Sequence, residues 1–129
     1  MGTLTATLTL NDSTTFSDVL NFSTSKALTT TATSQGLTTI GVTNTGTNNK
    51  IQSSLDGQTR YVFVRHTGTT DGSTGTTETV NVELTDDTVF GKLAANEFCF
   101  IPVGGHSLGV QLQSSSGTVQ CEFAFFTKG

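Results

Sequence analysis

Tryptophan is missing from this chain of 129 residues, proline and tyrosine occur once each, and cysteine and histidine occur twice each. Each shortage removes a class of chemistry. Two cysteines, Cys99 and Cys121, are too few for a disulfide scaffold, and no Cys/His set has zinc-ligand spacing. With no tryptophan and only Tyr61, the chain has few of the flat, polar-tipped rings on which sugars stack. Charge is scarce too: 12% of residues, six basic against ten acidic, for a net −4. A grip on nucleic-acid phosphates needs a basic surplus on one face, so that class is excluded. No apolar run approaches the ~20 residues that span a bilayer as a helix. The opening "MGTLTATLTL" has neither the basic start nor the apolar stretch of a signal peptide. Ala6 also stands where a myristoylation pattern requires Ser or Thr. The expectation is a soluble product of a cytoplasm, with no membrane and no nucleic acid among its partners.

Threonine, by contrast, is abundant at 28 residues, accompanied by 14 glycines. Threonine is β-branched and favours extended backbone, while Gly, Asn, Asp and Ser supply turns. The good helix formers Lys, Glu and Met are few, so the balance points to an all-β chain. Its length suits one domain with a real core but falls short of an α/β-hydrolase sheet with its helices.

"TLTATLTL" (3–10) alternates without a fault, with Leu4, Ala6, Leu8 and Leu10 on one face and threonines on the other. That is the pattern of a half-buried strand. Residues 16–30 read as a long, kinked strand, and 37–44 as a strand weakened at Gly41. "RYVFVRH" (60–66) carries apolar residues on both faces and reads as a covered central strand. "TGTTDGSTGTT" (67–77) reads as a mobile, exposed tip. "ETVNVEL" (78–84) buries Val80, Val82 and Leu84, and "TDDTVFGKLAANE" reads as a short helical or irregular turn. "FCFIPV", "SLGVQLQ" and "VQCEFAFF" supply three more strands, and the nine phenylalanines read as core. The expected fold is an all-β antiparallel β-sandwich, jelly-roll-like, of about eight strands. Residues 1–129 form a single domain, in which 1–30 read as an arm or edge completed by a neighbouring subunit.

The motif that most resembles chemistry is Gly105-His106-Ser107-Leu108-Gly109, which fits the G-x-S-x-G nucleophile elbow. An elbow lifts its serine off a strand end, starts a helix behind it, and is followed by an acid and then a histidine. Here Ser107 is followed by the strand pattern "LGVQLQ" and by Glu122, with no histidine downstream. A permuted triad would have to recruit His66, since triads are defined by geometry. The glycines are therefore read as serving a hairpin turn that needs positive φ. Glu83, Asp86 and Asp87, with Asp71 in the loop, are the residues from which a weak calcium site could be built. Their spacing is not that of an EF-hand, and they read as solvated turn caps. His66 reads as a strand-end residue with an ordinary hydrogen bond. If the phenylalanines face the core, period-2 phase turns Cys99 and Cys121 opposite ways, so no intrachain disulfide is expected. "FAFF" puts apolar side chains on both faces of its strand, which suits a subunit interface as well as a buried strand.

The stretch from "RYVFVRHTG" through "VNVEL", "FGKLAANEFCFIPV" and "SLGVQLQSSSGTVQCEFAFF" resembles the C-terminal part of small virion structural proteins of tailed phages, cyanobacterial ones in particular. The resemblance covers residues 60–126, about half the chain, and rests on strand rhythm. It implies a non-enzymatic β-rich shell component without cofactor, and it carries over no catalytic, cofactor-binding or metal-binding residue. The resulting expectation is a capsid decoration (cement) protein, a homotrimer on the outer surface of the head, made in the host cytoplasm and bridging subunits of the major capsid protein. Segments 3–28 and 119–126 are the expected contact regions. The alternatives are a tail, neck or fibre-associated β module, or a glycan-binding module for host attachment.

Overall fold

The computed structural model describes residues 2–15, 20–30, 35–45, 49–52, 59–104 and 107–128. Among them are ten strands: β1 (Gly2–Asp12), β2 (Leu20–Thr30), β3 (Gln35–Val42), β4 (Lys50–Gln52), β5 (Arg60–His66), β6 (Val80–Leu84), β7 (Val89–Leu93), β8 (Phe98–Val103), β9 (Val110–Ser114) and β10 (Val119–Thr127). The chain is all-β, and every pairing is antiparallel. Three sheets result: the hairpin β1-β2, one sheet ordered β3-β10-β5-β8, and another ordered β4-β9-β6-β7. None closes into a barrel.

Two strands exceed the expected eight. β4 is only three residues long, too short for a periodic signal. β7 replaces the expected helical turn. As an edge strand with a register shift against β6, it leaves Val89 and Phe90 both exposed, so its sequence does not alternate. The turn ahead of it is set by Asp87, whose φ of 68° lies in the left-handed region, and by the Thr88 N–H donating to Asp86 Oδ1. Leu93 is buried as expected.

The core is built of valine and not of phenylalanine. One buried cluster draws on both four-stranded sheets: Val42, Val62, Val64, Val119, Cys121 and Phe123 from one, Ile51, Val80, Val82, Leu93, Val110 and Leu112 from the other. Each fully buried valine or leucine stabilises the fold by roughly 1.5–3 kcal/mol. Of the described phenylalanines only Phe123 belongs to this cluster, with Phe125 packed against it. Phe22, Phe90, Phe98 and Phe100 are exposed. Alternation separates two faces of a strand without saying which is inside, and in β5 and β8 the inner set is Val62/Val64 and Cys99/Ile101/Val103.

That inversion also corrects the cysteine phase. Cys99 sits opposite Val64 and Cys121 opposite His66, so both thiols point to the core face of one sheet. They are separated by β5, which puts their Cα atoms roughly 10 Å apart or more, beyond the reach of a disulfide.

Candidate functional site

The residues singled out as possible chemistry are dispersed by the fold. Ser107 is exposed on the link from β8 to β9, and the chain runs on into strand β9 where an elbow would start a helix. Gly105 and His106 lie outside the described residues. The link is not a hairpin turn either, because β8 pairs with β5 while β9 pairs with β4 and β6. Positive φ among the described glycines belongs to Gly68, Gly72 and Gly117. Gly104 is required for a different reason: a Cβ there would lie 2.6 Å from Thr59 Oγ1 and 2.8 Å from Thr59 Cα.

His66 is fully buried, and both ring nitrogens are engaged. Nδ1 accepts the Gly68 N–H at 2.9 Å, so Nε2 carries the proton and donates to the Glu78 carbonyl at 2.8 Å. No nitrogen is left to act as a base. Glu122 lies on β10, 3.5 Å from Arg65.

The acidic residues separate in the same way. Glu83 is 1% exposed and accepts from Gln111 Nε2 at 2.8 Å; the same amide reaches Asp87 Oδ1 at 2.9 Å. Asp71 instead caps its own loop, accepting the Ser73 and Thr74 N–H groups at 2.9 and 2.7 Å. These bonds, led by Thr74, hold its carboxyl below the usual carboxylate range. Among the described residues no three His, Cys, Asp or Glu side chains converge as metal ligands. The 67–77 loop has an exposed tip but is tied along its length, with Thr70 N–H to Thr74 carbonyl, Thr76 N–H to Gly68 carbonyl, and Gln120 N–H to Thr69 carbonyl.

What the fold does assemble is an apolar surface. On the face of the β3-β10-β5-β8 sheet turned away from the core stand Tyr61, Phe63, Phe98, Phe100 and Phe126. Tyr61 and Phe100 stack with centroids 6.1 Å apart and planes 6° off parallel, and Phe63 lies 6.4 Å from Phe98. Tyr61 is buried in this stack and is no open platform for a sugar. "FAFF" contributes to both sides: Phe123 and Phe125 face the core, while Ala124 and Phe126 line the outer face. Burial pushes the Cys121 thiol on this strand up to about 12 and raises that of Cys99.

The hairpin lies over this face. β1 and β2 pair along eleven residues, which places Leu4, Ala6, Leu8 and Leu10 on the same side as Leu20, Phe22 and Leu28. Near its root Leu4 and Ala6 are half-buried, and a cavity of about 760 Å³ remains between hairpin and sheet. Toward its tip Leu8, Leu10, Leu20 and Phe22 are exposed. Composition gives no hint of this division, because every leucine of "TLTATLTL" carries the same alternation signal.

No protein-family model matches the chain, and no curated protein matches it.

Proposed function

We propose that this protein is a non-enzymatic structural subunit of a virion, a capsid decoration protein that sits as a homotrimer on the outer surface of a phage head and bridges neighbouring major capsid subunits. The observation that carries the reading is the hairpin: a two-stranded sheet tied to its neighbour, among the described residues, by the Thr30–Lys128 bridge, whose apolar face lies over the body at its root and is exposed toward its tip. An isolated two-stranded ribbon is marginal in water, and a covering neighbour would stabilise it by mass action. The strand orders β3-β10-β5-β8 and β4-β9-β6-β7, sharing one core, support a jelly-roll sandwich for the eight strands after the hairpin. Jelly rolls serve in viral shells and in lectins, so fold alone does not choose between them. The choice rests on the resemblance of residues 60–126 to virion proteins. The buried Tyr61 and the committed nitrogens of His66 favour assembly over sugar binding or hydrolysis.

Copy number tests the proposal. Intact particles from the source would be purified, and this chain quantified against the major capsid protein by mass spectrometry. Hundreds of copies at a fixed ratio support decoration. A handful moves the chain to a tail, neck or fibre, and its absence from particles ends the virion reading. Retention on a glycan array would then favour an attachment module, and labelling of Ser107 by a fluorophosphonate an esterase.

A further inference from the structure

The hairpin strands are longer than any strand of the sheet beneath them. Eleven residues at ~3.4 Å each make a ribbon of roughly 36 Å, whereas the six residues of β8 span about 20 Å. The root lies over the sheet, and toward the tip the apolar side chains are exposed. One hairpin face thus meets two fates: Leu4 and Ala6 are half-buried over the chain's own sheet, and Leu10 and Phe22, directly cross-strand from each other, stay 46% exposed. The sheet has exposed surface as well: Leu37, Phe98 and Phe100, which line the same cavity as Leu4, Ala6 and Leu8, remain 64, 60 and 39% exposed.

We infer that the tip of the hairpin, Leu8, Leu10, Leu20 and Phe22, seats on the outer face of the β3-β10-β5-β8 sheet of a second copy of this chain, against Leu37, Phe98 and Phe100. Four things on the two surfaces select a second copy as the occupant. The first is precedent within the molecule: the root of the same hairpin face already stands over this same sheet face across the cavity, with Leu4 and Ala6 half-buried. The second is area. Leu8, Leu10, Leu20 and Phe22 are 45, 46, 37 and 46% exposed. With the three sheet residues they present roughly 600 Å² of apolar surface, an aromatic side chain carrying 150–250 Å² in full. Apolar atoms make up about 60% of an interface. One tip-to-groove contact then corresponds to on the order of 1,000 Å² in all, roughly 500 Å² per partner; a reciprocal pair, which makes the contact twice, buries about 1,000 Å² per copy, above the ~800 Å² per partner of a stable complex.

Charge is the third. Asp12 stands cross-strand from Leu20 at one end of the tip, and Arg65 stands cross-strand from Phe98 at one end of the sheet patch. The two charges are opposite in sign, although Arg65 already pairs with Glu122 on β10 at 3.5 Å, so the match adds little attraction. Geometry is the fourth: tip and groove are different surfaces, so the contact is head-to-tail and closes as a reciprocal pair or a ring. The inference deepens the subunit reading and rests on it for the expectation that copies meet at all.

The test uses the full chain in sedimentation and light scattering. The wild type is expected to be an oligomer. Phe22→Lys and Phe98→Lys are each expected to be monomers with unchanged far-ultraviolet circular dichroism, their association weakened roughly a hundredfold by a charge held against an apolar face. Mixing the two variants is the decisive step. One has an intact groove and the other an intact tip, so the mixture recovers dimers that neither forms alone. A monomeric wild type, or variants that stay fully associated, overturns the inference, as does a mixture that stays monomeric. Should a lysine variant unfold, Leu10→Cys with Phe98→Cys in one chain gives the second reading, an inter-chain disulfide on a non-reducing gel. The outcomes separate from those of copy number: a wild-type monomer present in hundreds of copies per particle removes the hairpin exchange and leaves decoration standing.

Discussion

Gly68 donates its backbone N–H to Nδ1 of the His66 ring at 2.9 Å, while the opposite ring nitrogen donates to the Glu78 carbonyl. One buried imidazole thereby ties both ends of the 67–77 loop to the end of β5. Removing it orphans two part-buried backbone groups and leaves a cavity, so His66→Ala is expected to destabilise the fold by about 2–4 kcal/mol. Urea unfolding checks this, and a loss under ~1 kcal/mol would show that the loop holds without its pin.

The Gln111 amide is the described partner of the buried Glu83 carboxylate, and its own Oε1 has none among the described residues. Gln111→Leu strands a carboxylate and is expected to cost about 3 kcal/mol or more. Glu83→Leu combined with Gln111→Leu is expected to fall within ~1 kcal/mol of wild type, because both desolvation penalties vanish together. A double variant as unstable as the single one would contradict this account.

Valine and leucine carry the fold, and the exposed phenylalanines do not. Leu112→Ala is expected to cost about 3 kcal/mol, since Leu112 is wholly buried and the site collapses only in part. Phe98→Ala is expected to cost under ~1 kcal/mol in the monomer. Comparable thermal shifts for the two would place Phe98 in the folding core after all.

Alkaline pH should weaken the fold through Cys121. Its thiol titrates at about 12 in the folded chain, against ~8.5 when unfolded. The folded state then holds a proton that the unfolded state has lost. This contribution is fully present below ~8.5 and is lost as pH rises toward the folded value. Cys99, also raised by burial, acts in the same direction. The urea midpoint is expected to fall from roughly pH 8.5 to pH 10, and to fall less steeply in Cys121→Val. Equal slopes would mean that the thiol is solvated in the folded protein.

The all-β class was legible in composition, and most strands were legible in alternation, because threonine and valine at period 2 have few other uses. The two strands that escaped, β4 and β7, lack alternation for physical reasons: one is three residues long and the other is an edge with a register shift. The choice of inner face was not legible. In "RYVFVRH" both Tyr61/Phe63 and Val62/Val64 are apolar, and only the tertiary packing decides that the β-branched set goes inside. The apolar outer surface escaped for the same reason, since its phenylalanines had been assigned to the core. The hairpin face was read from "TLTATLTL", but its division into a half-buried root and an exposed tip depends on how the hairpin lies over a sheet whose strands come later in the chain.

The place of β10 bears on how the chain comes to be folded. It lies between β3 and β5, yet it is the last strand in chain order. During synthesis β3 and β5 therefore have no common partner until residues 119–127 have been made. Until then, two strands with unpaired edges wait beside an N-terminal ribbon whose leucines are already exposed. Such a chain is at its most adhesive before β10 has been made. Its scarcity of charge adds little repulsion, and the dense threonine along β1 keeps one face of the waiting ribbon wet.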